Sequence, residues 1–136
     1  MNMIRQLTVL EAKRLGVYTC RGQEPLRQVA AQMVDRDVSS LVVVDEDGAL
    51  QGIITRTDLM RACYEHAEAW RDRSVAQHMN RQVVTVQMHD TLEQVIELLL
   101  TKQIHRVVAV ERQEGKAIPL AVLSAADVVY HMARRG

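Results

Sequence analysis

Residues 17–60 read VYTCRGQEPLRQVAAQMVDRDVSSLVVVDEDGALQGIITRTDLM, and residues 83–129 read VVTVQMHDTLEQVIELLLTKQIHRVVAVERQEGKAIPLAVLSAADVV. The second stretch is a diverged copy of the first. At an offset of 66 residues, without a gap from Val17/Val83 to Val44/Val110, Thr19 meets Thr85, Leu26 meets Leu92 and Val42 meets Val108. After a three-residue insertion the offset becomes 69, and Thr55-x-x-Asp58 meets Ser124-x-x-Asp127. One such unit often cannot bury its apolar face alone, and pairing the units completes a core. Pairing also creates related clefts, and junctions of this kind are favoured ligand sites.

Working outward, each copy carries the same order of local signals. Thr8-Val-Leu-Glu11 and Ser74-Val-Ala-Gln77 have the capping-box pattern of a helix start, the first running to about Arg14. Short β segments are expected around Val17–Cys20 and Val83–Val86. Glu24-Pro25 opens a helix with proline in its first turn, and Leu26, Val29, Ala30, Met33 and Val34 fall at helical spacing. Its mate runs over Thr91–Lys102, with Leu92, Val95, Ile96, Leu99 and Leu100 as the stripe. The uniformly apolar Leu41–Val44 predicts a strand buried on both faces. Asp45–Gly48 turns the chain and Leu50–Thr55 returns it, a hairpin by its turn chemistry. Val107–Val110 and Ile118–Leu123 repeat this across a longer turn, Glu111–Gly115. Pro119 confines its strand to an edge or to the first residues. Helices over Thr57–Glu68 and Ala125–Arg134 close the copies, and the polar, Trp70-bearing stretch 68–73 links them. A helix between two β segments implies a parallel crossover within one small sheet.

Composition bounds the function. Seventeen Lys and Arg balance seventeen Asp and Glu. A general nucleic-acid binder needs a basic surplus, so that class is disfavoured; the Arg71/Arg73 and Arg134-Arg135 pairs are read as solvated surface. With no Phe, one Trp and three Tyr, the core must be aliphatic, and base stacking on aromatics is excluded as a main mode. No apolar run approaches bilayer length, and the charged N-terminal stretch MNMIRQLTVLEAKR lacks a signal-peptide core. A cytoplasmic protein with no membrane association is expected. Cys20 and Cys63 fit no metal or redox spacing and are expected as buried or half-buried free thiols. The chain lacks a phosphate-binding glycine loop with lysine and a His-Glu-x-x-His pair, and its five histidines are scattered. It is therefore expected not to be an enzyme.

The order helix, β, helix, β, β, helix resembles the CBS (cystathionine beta-synthase) domain, and two in tandem resemble a CBS pair or Bateman module. The residues that carry the resemblance are Thr19, Val38-Ser-Ser-Leu-Val-Val-Val-Asp45, Gly48 and Gly52-Ile-Ile-Thr-Arg-Thr-Asp58 in the first copy. In the second they are Ser74-Val-Ala-Gln-His-Met79, Val83-Val-Thr-Val86, His89-Asp-Thr-Leu92, Ile104-His-Arg-Val-Val-Ala-Val110 and Leu123-Ser-Ala-Ala-Asp127. The resemblance implies an α+β, sandwich-like fold of two β-α-β-β-α repeats, residues 7–68 and 69–136, packed about a pseudo-twofold axis. It implies a regulatory role, a homodimer, and an adenosine-containing ligand in clefts between the repeats: AMP, ADP, ATP, S-adenosylmethionine or NAD. The regulated partner is unknown, and some members of the family act without a nucleotide.

Thr55-x-x-Asp58 and Ser124-x-x-Asp127 have two readings. As capping boxes, each carboxylate reaches back to the amide at its own helix start. As a ligand site, the carboxylate offers two acceptor oxygens to a ribose diol, with Thr55 or Ser124 near phosphates at a helix N-terminus. The resemblance assigns them the ribose and phosphate positions. It sets Ser39-Ser40 and His105-Arg106 at the phosphate end of the clefts, with Val38 and Ile104 opening these segments. Thr19 and Thr85 would flank the adenine. Arg suits phosphate through its planar fork of donors, so the two clefts are expected to be unequal. Arg56 and Lys102 are lesser phosphate candidates, with solvated helix ends as their other reading. Ala121, standing where the first copy has Gly52, is expected to narrow backbone approach in the second.

Overall fold

The computed structural model describes residues 3–135. Two short helices open the chain, α1 (Met3–Gln6) and α2 (Val9–Ala12). The first repeat follows as β1 (Thr19–Arg21), α3 (Leu26–Arg36), β2 (Ser40–Val44), β3 (Leu50–Thr55) and α4 (Arg56–His66). Two 3₁₀ helices, Ala67–Asp72 and Val75–Gln77, lead into β4 (Thr85–Gln87), α5 (Leu92–Thr101), β5 (Arg106–Gln113), β6 (Lys116–Ser124) and α6 (Ala125–Arg135). The strands form two three-stranded sheets, ordered β1-β2-β3 and β4-β5-β6. In each, the first pair is parallel and the second antiparallel. The crossover and hairpin expected from sequence are both present.

Compactness groups these elements differently from the repeat boundaries. One unit joins the chain up to Val17 with the chain from Val84 onward; the other is Tyr18–Val83. In the first unit, Val9 N donates to Asp90 O at 2.8 Å and Leu10 N to Met88 O at 3.0 Å. In the second, Val75 N donates to Glu24 O at 3.0 Å and Ala76 N to Gly22 O at 2.8 Å. The pairs correspond at the 66-residue offset, so each leading segment docks on the strand-to-helix turn of the other copy. Its valine is the plug. Val9 is fully buried in a core with Val86, Leu92, Val95, Val107 and Leu123, and Val75 in one with Leu26, Val29, Leu41 and Ile54. Burying a valine in this way contributes about 1.5–3 kcal/mol.

The central strands are buried on both faces, as their uninterrupted apolar runs require: Leu41, Val42 and Val43 in β2, and Val107, Val108 and Ala109 in β5. Pro119 pairs with Val110 beside a register shift on edge strand β6, where a missing donor is tolerated.

Several boundaries differ from the sequence reading. Pro25 is the N-cap of α3 rather than its first turn. The Ser74 box opens a 3₁₀ turn. The β1 and β4 strands each begin two residues later than expected. The Glu111–Gly115 loop is mostly strand, because Glu114 (φ 52°) and Gly115 (φ 79°) suffice for a two-residue reversal with both φ positive. Helix α4 stops at His66, where Ala67 turns to φ 50°, and the remainder tightens into a 3₁₀ helix whose Trp70 packs on the core. Cys20 is buried, and burial together with nearby Glu24 pushes its thiol pKa up to about 12. Cys63 is free and exposed, not half-buried, because it lies on a solvent-facing side of α4.

Two predictions follow from the Tyr18–Val83 unit. A Cβ on Gly52 would stand 2.8 Å from Asn80 O and 2.9 Å from Met79 Sδ, while Ile53 and Asn80 exchange two backbone bonds of 2.9 Å. Gly52→Ala should therefore cost about 1–3 kcal/mol by overpacking, read as a lower denaturation midpoint, with faster hydrogen exchange at the Asn80 amide. The second concerns His78, whose Nε2 accepts from Arg73 Nε at 2.6 Å. Burial first, then the positive charges of Arg73 and His66, hold its pKa below the ordinary 6.5. The unfolded chain thus binds a proton more readily, and this contribution to stability is complete above pH 6.5 and declines as pH falls below it. Melting temperature should drop between about pH 7 and about pH 5, and His78→Gln should reduce the drop.

Candidate functional site

The end of each hairpin runs directly into a helix. In the Tyr18–Val83 unit, Ser40 pairs with Thr55 across β2 and β3, and Arg56 N donates to Ser39 O at 3.1 Å. This brings Ser39, Ser40, Thr55, Arg56 and Asp58 to one end of the sheet. Val38 packs against the core just before them. Thr19, exposed, lies in register with Val42, two residues along β2 from Ser40. The other unit repeats the pattern. Arg106 pairs with Ser124, Ala125 N donates to His105 O at 3.2 Å, Ile104 packs on the core, and Thr85 aligns with Val108. His105 and Lys102 are exposed, while Arg106, Ser39 and Ser40 are half-buried. Arg56 is exposed and stands 3.9 Å from Asp37.

Both TxxD-type motifs form the capping box. Asp58 Oδ2 accepts from Thr55 N and Thr55 Oγ1, each at 2.9 Å, and Asp58 N donates back to Thr55 Oγ1 at 3.3 Å. Asp127 Oδ2 accepts from Ser124 N at 2.8 Å and Ser124 Oγ at 3.2 Å, and Asp127 N donates to Ser124 Oγ at 3.4 Å. The two readings of the motif are therefore compatible. The cap uses one carboxylate oxygen, and a diol needs an acceptor that the other can supply.

The second oxygens differ, and sequence reasoning missed how. Asp58 Oδ1 has a 3.4 Å contact with Arg61 Nη1 one turn along α4, where Arg61 is largely exposed. Such a pair contributes roughly 0–1 kcal/mol. Asp127 Oδ1 accepts from Lys13 Nζ at 2.9 Å in a partly buried ion pair. The i, i+3 spacing of Asp58 and Arg61 was a readable signal. The Lys13–Asp127 contact spans 114 residues and carries none. Within the same unit, His131 Nε2 lies 2.8 Å from Ala12 O, which ties α6 to the end of α2 beside this pair. No group of three or more His, Cys, Asp or Glu side chains is placed to hold a metal ion, among the described residues.

The CBS domain family model matches residues 9–65 and 73–134. Among curated proteins, the chain is 31% identical over 102 residues to the 5′-AMP-activated protein kinase subunit gamma-3 of Bos taurus, covering 71% of this chain and 20% of that one. It thus spans about a fifth of the length of these kinase relatives. A CBS-domain-containing protein from Agrobacterium tumefaciens superposes with a TM-score of 0.78 at 27% identity, over 91% of this chain and 94% of that one. The CBS domain pair of protein MJ0100, solved with 5′-methylthioadenosine and S-adenosyl-L-methionine, has the same fold: TM-score 0.83, 19% identity, 95% and 98% coverage. Its two family-model matches and its two sheets of like topology make this chain a member of the CBS-domain family, with two CBS repeats in tandem.

Proposed function

We propose that residues 7–68 and 69–136 form a regulatory, ligand-sensing module that binds an adenine nucleotide of the AMP, ADP or ATP kind and signals its occupancy to a partner protein. The observation that carries this reading is the spare oxygen of Asp58. Its carboxylate is held in place by the cap, half-buried, and its second oxygen meets only the weak 3.4 Å contact from the largely exposed Arg61. Hydroxyls of Ser39 and Ser40 and the Arg56 guanidinium stand at the same sheet end. The kinase gamma subunit named for AMP activation and the MJ0100 pair solved with adenosyl ligands support the ligand class. The protein is read as cytoplasmic and regulatory rather than catalytic. A ligand acts by its difference in affinity for two states of the module.

Asp58 is the stronger candidate for ribose, because at Asp127 a diol must displace or accommodate Lys13. His105 and Arg106 make the second sheet end the more cationic. A hydrogen bond to a charged acceptor contributes about 1.5–3 kcal/mol. Asp58→Ala should therefore weaken AMP binding by about ten- to a hundredfold in calorimetry. Lys13→Met should tighten whatever binding depends on Asp127. Unchanged affinity in Asp58→Ala and Asp127→Ala would remove the ribose assignment. Titrations with ATP, S-adenosylmethionine and NAD decide among adenosyl ligands, and a bound ligand should raise the melting temperature by linkage.

A ligand-free interaction module is the second reading, consistent with capping boxes that are complete without a ligand. It predicts no thermal shift with any adenine compound. Under either reading a homodimer is proposed. Helix α4 exposes Met60 and Tyr64, the latter 91% accessible, and α6 exposes Val129, Tyr130 and Met132. Exposed apolar side chains on a helix suit an association face, and a second copy supplies like helices. Light scattering should give twice 15.4 kDa, and Tyr64→Glu with Tyr130→Glu should return the mass to that of one chain.

A further inference from the structure

At the other end of the β1-β2-β3 sheet from Thr55 and Asp58 lies a cleft of about 260 Å³. Strand β2 (Ser40–Val44), four steps of about 3.3 Å or roughly 13 Å from end to end, separates the two places. Its floor is the buried Val43. Arg21, at the end of β1, and Gln51, near the start of β3, stand on its sides. Its far wall is the segment that carries Met79 and Arg81. That wall is fixed at both edges. Val75 N and Ala76 N donate to the turn after β1, and Asn80 exchanges two 2.9 Å bonds with Ile53.

One residue that lines the cleft carries an unmet donor. Arg21 Nε is buried and finds no hydrogen-bond partner among the described residues. A buried polar group in that state costs about 1–3 kcal/mol, more if charged. The second guanidinium, Arg81, is anchored at the wall, where its Nη2 donates to Ala76 O at 3.4 Å. Two guanidiniums over an apolar floor match an oxyanion on an apolar body, since the planar fork donates in pairs to carboxylate or phosphate. The rim also carries Glu46 and Asp45. Asp45 Oδ1 accepts from Asp47 N and Ala49 N, so this carboxylate serves its own turn. With these acidic groups at the rim, a single negative charge is favoured over a polyanion.

We infer that this cleft is a second small-molecule site, separate from the Asp58 junction, which takes a singly charged oxyanion with a small apolar body and seats it on Arg21 and Arg81. The volume lies at the small end of the range for ligand pockets and suits a small metabolite.

The test is a nuclear magnetic resonance titration of the full chain with sodium isobutyrate, and separately with inorganic phosphate, against sodium chloride at matched ionic strength. The expected result is saturable movement of the Arg21 Nε–H resonance and of the Gly22, Gln51 and Ala76 amides. Arg21→Met should weaken that response at least about tenfold. Arg81→Met, an exposed position, should weaken it as well and keeps the test open where Arg21→Met fails to fold. Response to isobutyrate alone assigns a carboxylate head, and response to phosphate alone a phosphate head. AMP-induced shifts around Thr55 and Asp58 should persist in both variants. Shifts no larger than those of the chloride control, or saturable shifts untouched by Arg81→Met, overturn the proposal.

Discussion

The fold rests on an exchange of plugs. Each sheet and its helices leave a hole where the first strand turns into the first helix, and each hole is closed by a valine from the segment that precedes the other repeat. Val9 and Val75 enter with the same two backbone bonds on either side, to Asp90 and Met88 in one unit and to Glu24 and Gly22 in the other. The donated bonds matter as much as the apolar contact. A buried turn with open carbonyls would be penalised for each of them, so the segment that fills the hole also satisfies its rim. Neither repeat sequence alone contains all the residues of its own core.

This constraint fixes the ends of the sheets. The plug segments hold the first strands at the turn end, while at the opposite end the hairpin's second strand must leave into a helix. A strand-to-helix junction needs a cap for its free amides. Thr55 with Asp58, and Ser124 with Asp127, supply it using the hydroxyl, the backbone and one carboxylate oxygen. The structural role pre-positions the carboxylate, so a diol bound there would meet an acceptor whose rotamer is already set. Preorganisation of this kind reduces the ordering cost of binding. A cap that is complete without a ligand therefore does not argue against a ligand.

How much of this could be read from the chain depends on the range of the interaction. The capping boxes at Thr8, Thr55, Ser74, Thr91 and Ser124 are contacts over three residues, and each could be read directly from a hydroxyl residue followed by Glu, Gln or Asp. The doubly buried strands announced themselves as unbroken apolar runs. The repeat supplied the order of elements, and the CBS resemblance followed from it. The plug exchange was hidden, because repeat alignment shows which residues correspond and not which copy they pack against. The reversal at Glu114-Gly115 was hidden for another reason. A charged loop and a charged, solvent-facing pair of strand ends have the same composition, and only the two positive φ values separate them. Lys13 and Arg21 were overlooked because a lone cation in sequence carries no sign of what it will face.

The repeats differ by one methyl group where the second strand of the hairpin meets the segment beside it. Gly52 leaves room for the chain at Met79 and Asn80 to lie against β3, and Asn80 pairs with Ile53 through two bonds. The corresponding strand residue in the second repeat is Ala121, fully buried. There the segment attaches by Gly16 N to Leu120 O at 2.8 Å, with Gly16 at φ 142°. Lys13, which corresponds to Met79 at the repeat offset, extends its ammonium to Asp127. The glycine side thus has a pinned wall and the Arg21 cleft, and the second oxygen of its aspartate meets only the weak contact from Arg61. The alanine side gains an ion pair on that oxygen. Duplication supplied two equivalent junctions, and the side chains beside them, Lys13 where the other copy has Met79 and Arg61 where the other has Tyr130, make their carboxylates chemically different.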